Sequence, residues 1–505
     1  MNKIMAGAFL VFIATLVLLK GINFKIPYRD SGGVLYGGRE VLLGRLPYRD
    51  FWDHKAPLIY YIDAAALAVN SRNLWSIWGT EWISLFGTFL IMFYVINRKF
   101  NKTAAFASIT ICAIAISKLL DGGNRVEEYG LFFQALAVLL FGAKRRNYAL
   151  GVVSGCLFLL KPNMAAIFPA IMIYLFIKGE AKEAMKLSAG FMTIPLLFLV
   201  YFGINAALGQ MADQVIVFNM LYSEATGAQR FSVLTLGSRL LAPVLIATIP
   251  GLMMVLVKRK TLIIPDIIQL ALIWLPLEIA ASVFSGREYL HYYLIWIIPL
   301  LLLVSYTFYQ IKFKYAAYLL MFLIIFTGYK NEAAGLIKNA YTLRPFDKRL
   351  QFRGFNYNNF DEHSDTLEAI AQGSEQNDNI LIWGSEPALP VLSGRQSKNK
   401  YYYQFRLLYP GYDTDSRRLG EFLDELIMNP PELIVDAAKS TNDSLMNSTW
   451  ALPPLNQEEM SRWIADIRPT PAQTKTLTAL SEFISTRYRP WRTTYQGKWM
   501  IYKRN

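Results

Sequence analysis

The sequence predicts an α-helical polytopic membrane protein with a C-terminal soluble α/β domain. Of the 505 residues, 54% are hydrophobic and 17% are charged, whereas a soluble globular chain has about 25% charged residues. Apolar runs recur up to residue 329, and each is close to the length that crosses about 30 Å of hydrocarbon. Beyond that point the runs stop, and short strand and helix patterns alternate. The composition excludes a disordered chain and a single soluble domain.

The apolar runs predict eleven membrane-spanning helices. We interpret the N-terminal run as a retained helix, because no small-residue signal-peptide cleavage site follows it. Loops on the side of the N-terminus contain fifteen Lys and Arg residues, whereas the short loops on the other side contain four. The positive-inside rule therefore places the N-terminus in the cytoplasm and the chain after the last span outside. The other ten runs lie at about 74–97, 103–120, 129–143, 148–160, 163–177, 187–208, 233–257, 261–284, 290–309 and 315–329.

Two domains are expected from this topology. Residues 1–329 would form the transmembrane domain with an external loop at 21–73, and residues 330–505 would form a periplasmic or extracellular α/β domain. We expect the second domain to recognise the acceptor or to brace the outer loops. In it we predict buried strands in DNILIWGSEPALPVLSGR and PPELIVDAAK, helices in TLEAIAQGSEQ and RLGEFLDELIMN, and a final edge strand in YQGKWMIYKRN.

A net charge of +14 would suggest nucleic acid as the partner of a soluble protein. Here the cytoplasmic ends of membrane helices and anionic lipid explain the basic residues, so membrane lipids are expected partners and nucleic acid is not. Cys112 and Cys156 lie in apolar runs and indicate neither a disulfide nor a metal framework. The motif Asp413-Thr-Asp415 is predicted to be a loop or a helix cap, and no nucleotide-sugar site is predicted.

Polar residues are scarce inside the predicted spans, where Glu81 and Glu278 are the main examples, and they cluster in the outer loops. Transporters place ionisable groups near the membrane midplane. The pattern therefore favours an enzyme that handles a substrate with a polar head and a lipid tail. A lipid-linked glycan flippase or other transporter is the alternative from another class, beside a membrane glycan polymerase or ligase and a non-catalytic envelope assembly factor.

The densest polar cluster lies in the predicted external loop. Asp30 directly follows the first span, at the membrane surface, where a carboxylate can accept a proton from a hydroxyl or an amine. Lys55, which is followed by Ala-Pro, can bind a phosphate as a point charge. An interfacial amphipathic hairpin would explain the aromatic and basic residues of this loop. It explains the acids Asp30, Asp50 and Asp53 less well, because they would face anionic headgroups without partners.

This loop resembles the first external loop of GT-C glycosyltransferases. The shared pattern is an Asp after the first span, a Gly-rich helix, and G-x-x-P-Y-x-D-x-x-x-x-K-x-P-L over residues 44–58. The closest types are the dolichyl-phosphate-mannose protein mannosyltransferases and the lipid A aminoarabinose transferases, and the resemblance covers residues 1–330. It implies an integral membrane enzyme with a polyprenyl-phosphate sugar donor, Asp30 as catalytic base and Lys55 on the donor phosphate.

The chain departs from the family pattern at three positions. Asp30 is followed by Ser31 where many members have a second acid, and Lys55 is followed by Ala where they have Pro. His54 stands where the family often has an acid, with Asp53 beside it as a candidate second acid. No cofactor is predicted from the residues; a divalent metal is left open by the resemblance, and no ligand is assigned to it.

A second outer cluster is DGGNRVEEY, over residues 121–129, which resembles the family's second outer loop. Glu127 and Glu128 are candidate acids near the active site, with Arg125 as their ion-pair partner. Helix capping and solvated charges are the alternative interpretation.

Two later clusters supply candidates for the donor phosphate. Lys161 stands before a Pro between two short spans, where the family often has Lys-Pro, or else it extends to the membrane surface without a ligand. Arg287 and His291 lie in SGREYLHYY, and the planar guanidinium of Arg287 suits an oxyanion.

Together these residues predict an inverting sugar transfer on the outer face of a bacterial inner membrane. Lys55 and Arg287, with Lys161 or Arg125, would stabilise the leaving polyprenyl phosphate. Asp30 would deprotonate the acceptor, which is a glycan, a lipid or a protein.

Overall fold

The computed structural model describes residues 3–21, 29–71, 74–141, 146–257, 264–342, 363–438 and 452–505. Most of these residues are helical, and a small mixed sheet lies near the C-terminus. Parts of two predictions lie outside the described residues. These are the loop segment 22–28 and the basic residues Lys144, Arg145, Lys258, Arg259 and Lys260.

Every apolar run of the sequence coincides with a helix or a helix pair. Short 3-10 helices at Pro162–Ala166 and Leu290–Trp296 lead into the helices Ile167–Ile177 and Ile297–Gln310. A π-helical turn at Asp213–Val217 joins the short helices Leu208–Ala212 and Phe218–Tyr222. In chain order the helices up to residue 342 are α1 (Lys3–Gly21), α2 (Arg29–Leu42), α3 (Leu58–Val69), α4 (Trp75–Lys99), α5 (Lys102–Leu119), α6 (Val126–Phe141), α7 (Asn147–Leu160), α8 (Ile167–Ile177), α9 (Ala181–Ile204), α10 (Leu208–Ala212), α11 (Phe218–Tyr222), α12 (Gly227–Leu240), α13 (Ala242–Val257), α14 (Asp266–Val283), α15 (Ile297–Gln310), α16 (Lys314–Gly328) and α17 (Lys330–Thr342).

Five helices in the described part of the chain are long and apolar enough to cross a membrane. Two bent pairs raise this number to seven: α12 with α13 at 77°, and α16 with the first residues of α17 at 90°. Other apolar helices, such as α1 and α7, are shorter. The chain is thus a multi-pass membrane protein, and the figure of eleven spans stays a prediction.

Small residues allow the membrane helices to pack closely. A Cβ atom on Gly151 of α7 would lie 2.1 Å from the carbonyl oxygen of Leu187, and one on Gly190 of α9 would lie 2.0 Å from that of Tyr148. Such backbone-to-backbone approach is typical of helix pairs in membranes. It fixes α7, which ends just before Lys161, against α9.

The external helices α2 and α3 pack against each other through glycine. A Cβ on Gly37 would lie 2.4 Å from the Tyr60 ring, and a Cβ on Gly38 would lie 2.4 Å from the Cβ of Asp63. The Gly-rich face of α2 therefore lies directly on α3. This packing places the first turn of α2, with Asp30, next to the segment that precedes α3 and carries Lys55.

The C-terminal part contains a four-stranded sheet in the order β1-β2-β4-β3. β1 and β2 are parallel, with Ile380 opposite Leu433, and β4 is antiparallel to both β2 and β3. The predicted strands and helices are confirmed, and Asp413 accepts the backbone N–H groups of Arg418 and Leu419 as a helix cap. The elements are α18 (Ser364–Gly373), β1 (Ile380–Gly384), α19 (Ala388–Ser393), α20 (Arg417–Met428), β2 (Leu433–Ala437), α21 (Gln457–Ile467), α22 (Pro471–Arg487), β3 (Tyr488–Thr494) and β4 (Trp499–Arg504).

The prediction that the last strand lies at the sheet edge was wrong. β4 pairs with β2 on one side and with β3 on the other, so β3 is the edge strand. Edge strands tolerate Pro and charged residues, and the sequence of β3, YRPWRTT, contains both.

The sheet packs on the external helices. A continuous apolar core joins Leu35 of α2, Leu67 of α3 and Trp78 of α4 to Ile380 and Ile501 of the sheet. The C-terminal part therefore lies against the external loop.

Candidate active site

Asp30 lies between two cations. The Lys55 Nζ atom is 3.4 Å from Asp30 Oδ1, and the Arg125 Nη1 atom is 3.3 Å from Asp30 Oδ2. The Asp30 side chain is 39% exposed. Partial desolvation acts to raise the pKa of Asp30, but the charges of Lys55 and Arg125 outweigh it and hold that pKa well below its ordinary value.

Asp53 holds Lys55 from the other side. Its Oδ1 atom lies 3.6 Å from Lys55 Nζ and accepts the backbone N–H groups of His54 and Lys55, while Oδ2 accepts the hydroxyl of Tyr402 at 2.6 Å. Burial would raise the pKa of Asp53, but the charge of Lys55 outweighs it and holds that pKa well below its usual range. With its oxygens engaged, Asp53 is placed as an anchor for Lys55.

His54 is held in the neutral form. Its Nδ1 atom accepts a hydrogen bond from Arg406 Nη2 at 2.8 Å. Burial lowers the pKa of His54 to about 4, and the Arg406 charge acts in the same direction. The Arg406 guanidinium lies 4.0 Å from the centre of the Tyr403 ring, a cation–π contact.

The loop before α6 carries Arg125 into the site. Arg125 donates to the Asp121 carboxylate at 3.0 Å, and Asp121 Oδ2 lies 3.7 Å from His291 Nδ1. The loop turns through positive φ angles at Gly122, Gly123 and Asn124, of 84°, 77° and 52°, which explains the two glycines. The structure thus brings Asp30, Arg125 and His291 together.

Asn124 fastens this loop to the helices beneath it. Its backbone N–H donates to Glu81, its Nδ2 donates to Asp63 Oδ2 at 2.8 Å, and its Oδ1 accepts the Tyr129 hydroxyl at 2.7 Å. The Ser31 hydroxyl donates to the Gly123 carbonyl at 2.6 Å. The residue after Asp30 is therefore tied to the loop that carries Arg125.

The structure separates Glu127 from Glu128. Glu127 pairs with Lys161, whose ammonium lies 3.7 Å from the centre of the Tyr292 ring, next to His291. Glu128 makes no such pair and is buried near Glu81. Glu127 and Lys161 therefore belong to the wall of the site near His291, whereas Glu128 lies behind it.

Arg287 is surrounded by aromatic side chains that connect it to His291. Its guanidinium lies 4.5 Å from the centre of the Tyr222 ring and donates to the Tyr222 carbonyl and the Tyr409 hydroxyl. The Tyr222 hydroxyl contacts that of Tyr289, which stacks on His291. No ion pair joins Arg287 to a carboxylate of the described residues, so its charge is available to an anion.

The residues at the centre do not fit a divalent metal. Within the seven described ranges, no group of three or more His, Cys, Asp or Glu side chains could hold a metal ion. The Asp30 and Asp53 carboxylates already lie beside Lys55 and Arg125, whose charges oppose a second cation.

Sequence reasoning missed three groups that the structure places at or beneath the site. Asp121 and Asn124 stand in the quoted cluster of the second outer loop but had been assigned no role. Tyr402 lies 349 positions from its partner Asp53, so no local pattern could signal the contact.

One family model matches part of the chain. Residues 54–205 match the family model described as dolichyl-phosphate-mannose-protein mannosyltransferase. Among curated proteins, none matches this sequence. The matched segment includes Lys55, Arg125 and Lys161 and begins after Asp30.

Seventeen chains among the solved structures match this chain. ArnT from Cupriavidus metallidurans, bound to undecaprenyl phosphate, matches with a TM-score of 0.57 and 12% identity, over 78% of this chain and 86% of that chain. The archaeal oligosaccharyltransferase AglB from Archaeoglobus fulgidus, in complex with an inhibitory peptide and a dolichol-phosphate, has a TM-score of 0.47 and 12% identity, over 88% of this chain and 71% of that chain. At 12% identity such a match shows a similar fold and nothing more. We therefore infer only the fold, and we infer it from the match to ArnT. The family match and this fold confirm that the chain resembles the GT-C membrane glycosyltransferases.

Proposed function

We propose that the chain transfers a sugar from a polyprenyl phosphate to an acceptor, with inversion at the sugar carbon. The observation that carries the proposal is the Asp30 carboxylate held between Lys55 and Arg125. A carboxylate that can act as a base and two cations that can bind a phosphate thus occupy one site of a multi-pass membrane protein. The fold shared with ArnT, which was solved with undecaprenyl phosphate, supports a lipid-linked donor.

In the proposed reaction the bond between the sugar C1 and the phosphate oxygen breaks, and its electron pair goes to the phosphate. The acceptor oxygen or nitrogen forms the new bond to C1 from the opposite face, and its proton goes to Asp30. The products are the glycosylated acceptor and the polyprenyl phosphate. Lys55, Arg125 and Arg287 stabilise the charge that develops on the phosphate, which therefore leaves without a proton donor.

The ion pairs of Asp30 would make its strength as a base depend on whether the donor is bound. Before the donor binds, Lys55 and Arg125 lower the pKa of Asp30 and make it a weak base. A bound phosphate would compete for the same two cations and weaken their hold on the carboxylate. The pKa of Asp30 would then rise, so that the base gains strength when the donor is in place.

We further propose that this site faces outward from a bacterial inner membrane, with the N-terminus inside. The charge asymmetry of the loops supports this orientation. In a cysteine-free protein, Arg49→Cys and Lys102→Cys should be labelled from opposite sides of the membrane by an impermeant maleimide. Labelling of both from one side would contradict the orientation.

The reaction is tested with the purified full chain in lipid nanodiscs. It is supplied with a panel of polyprenyl-phosphate sugars and a membrane extract as acceptor, and released polyprenyl phosphate and glycosylated products are measured by mass spectrometry. We expect both products in equal amounts from at least one donor. Failure to cleave any donor, or movement of intact lipid across the bilayer without cleavage, would contradict the proposal.

A further inference from the structure

The C-terminal part contributes to the site that contains Asp30 and Lys55. Residues 400–412 of the C-terminal part contact the loop residues 52–54, which directly precede Lys55. Together these contacts fix the loop residues that lead to Lys55. The contacts are the Trp52 N–H to the Lys400 carbonyl at 2.9 Å, the Tyr402 hydroxyl to Asp53 at 2.6 Å, Arg406 to His54 at 2.8 Å, and the Trp52 indole N–H to the Tyr412 hydroxyl at 3.1 Å.

Among these residues, Tyr402 is linked to Lys55 through a single side chain, that of Asp53. Tyr402 is 4% exposed, and its ring stacks on Tyr36 of α2 with the ring centres 4.1 Å apart. Its hydroxyl donates to one oxygen of Asp53, and the other oxygen of Asp53 faces Lys55 Nζ. A buried carboxylate oxygen that loses such a donor is left unsatisfied, and Asp53 would then be held only by the backbone N–H groups on its other oxygen.

Gly33 shows how closely these groups approach α2. It lies one turn after Asp30, and a Cβ there would be 3.2 Å from the Tyr402 hydroxyl, 3.7 Å from Asp53 Oδ2 and 3.9 Å from Lys55 Nζ. The three groups therefore converge on one face of the helix that carries Asp30. A side chain at this position would crowd the Tyr402 hydroxyl and would touch Asp53 and Lys55.

We propose that Tyr402 is a positioning residue, which holds Asp53 so that Lys55 is ready for the donor phosphate. The C-terminal part is then a component of the active site as well as a possible contact for the acceptor. This inference rests on the proposed role of Lys55 in binding the donor phosphate.

The chain offers a matched control in the neighbouring residue. The Tyr401 hydroxyl also donates to a carboxylate, that of Glu421, at 2.8 Å. Tyr402→Phe and Tyr401→Phe therefore each remove one oxygen and one hydrogen bond to an acid, and only the first touches Asp53. The measurement is the binding of polyprenyl phosphate to the purified full chain, with melting temperatures recorded in the same buffer.

Tyr402→Phe should weaken polyprenyl phosphate binding about 10-fold, the usual effect of losing a hydrogen bond to a charged group. Tyr401→Phe should bind like the native chain. Lys55→Ala should weaken binding about 100-fold, because it removes the charge itself. In the Lys55→Ala background, Tyr402→Phe should have no further effect, because Tyr402 acts through Lys55.

The outcomes separate this inference from the proposed function. If Lys55→Ala leaves binding unchanged, the proposed phosphate contact is wrong. If Lys55→Ala weakens binding and Tyr402→Phe does not, or if the two effects multiply, the positioning role is wrong. Gly33→Ala perturbs the same contact from α2, with Gly420→Ala as its unhindered control. A folded Gly33→Ala variant that binds polyprenyl phosphate like the native chain would also overturn the inference.

Discussion

Lys55 Nζ lies 3.4 Å from the Asp30 carboxylate, although 25 positions separate the two residues. The packing of α2 on α3 through Gly37 and Gly38 produces this contact. The proposed base and the proposed phosphate-binding cation are therefore partners before any substrate binds. The donor phosphate must enter by taking over a cation that Asp30 already holds.

Lys161 should have two separable roles, one in stability and one in donor binding. Lys161→Met leaves the buried Glu127 without its cation, which should lower the free energy of unfolding by about 3 kcal/mol. Adding Glu127→Gln removes the unpaired charge and should restore most of that loss. Polyprenyl phosphate binding should stay weak in the double variant, because the cation itself is still missing.

The double variant is measured by thermal unfolding and by polyprenyl phosphate binding on the same preparation. Recovery of stability together with native affinity would show that Lys161 only compensates Glu127. In that case Lys161 would be removed from the donor site.

Asn124 should be needed to hold Arg125 beside Asp30. Asn124→Ala removes the hydrogen bonds to Asp63 and Tyr129 and places Ala, which adopts positive φ less readily than Asn, at a φ of 52°. We expect a loss of about 2–3 kcal/mol in stability and a fall in donor turnover, because the loop that carries Arg125 is released.

Asn377→Ala is the control for the backbone alone. Asn377 has a φ of 75° and lies in an exposed turn of the C-terminal part. The control should show a small loss of stability and native turnover. Equal effects of the two substitutions would mean that the buried hydrogen bonds of Asn124 do not position the loop.

Sequence reasoning reached the parts of the site that lie in compact motifs. Asp30 and Lys55 stand in one loop with a recognisable spacing, and the structure brings them together. The contacts made by Asn124 and Tyr402 could not be predicted, because they depend on which helices and domains pack together. Asp63 was missed for the same reason, since it lies inside an apolar helix pattern and meets Asn124 across 61 positions.

The edge-strand error has a local cause. The last strand, β4, contains alternating buried residues such as Trp499 and Ile501, a pattern that fits a central strand as well as an edge strand. The segment that pairs outside it, β3, contains Pro490 and two arginines and gave no strand signal.

Asp63 should make stability depend on pH. Burial raises the pKa of Asp63 to about 7, although the hydrogen bond from Asn124 acts to lower it. The folded chain then keeps a proton that the unfolded chain releases above about pH 4, so this contribution to stability is full at low pH and is lost as the pH rises towards 7.

Asp63→Asn cannot ionise and should remove this dependence. Its melting temperature should match that of the native chain near pH 4 and exceed it by several degrees at pH 8.5. Comparing the two proteins at each pH cancels the contributions of other acids. A constant difference across this range would contradict the raised pKa of Asp63.

The most direct test measures polyprenyl phosphate affinity and donor turnover together in Asp30→Asn, with Asp415→Asn, an exposed position of the C-terminal part, as the control. Loss of the base should lower turnover about 1000-fold. Affinity for polyprenyl phosphate should equal or exceed the native value, because the amide no longer competes for Lys55 and Arg125. Turnover close to that of the native chain, or an affinity that falls in step with turnover, would contradict the assignment of Asp30 as the base.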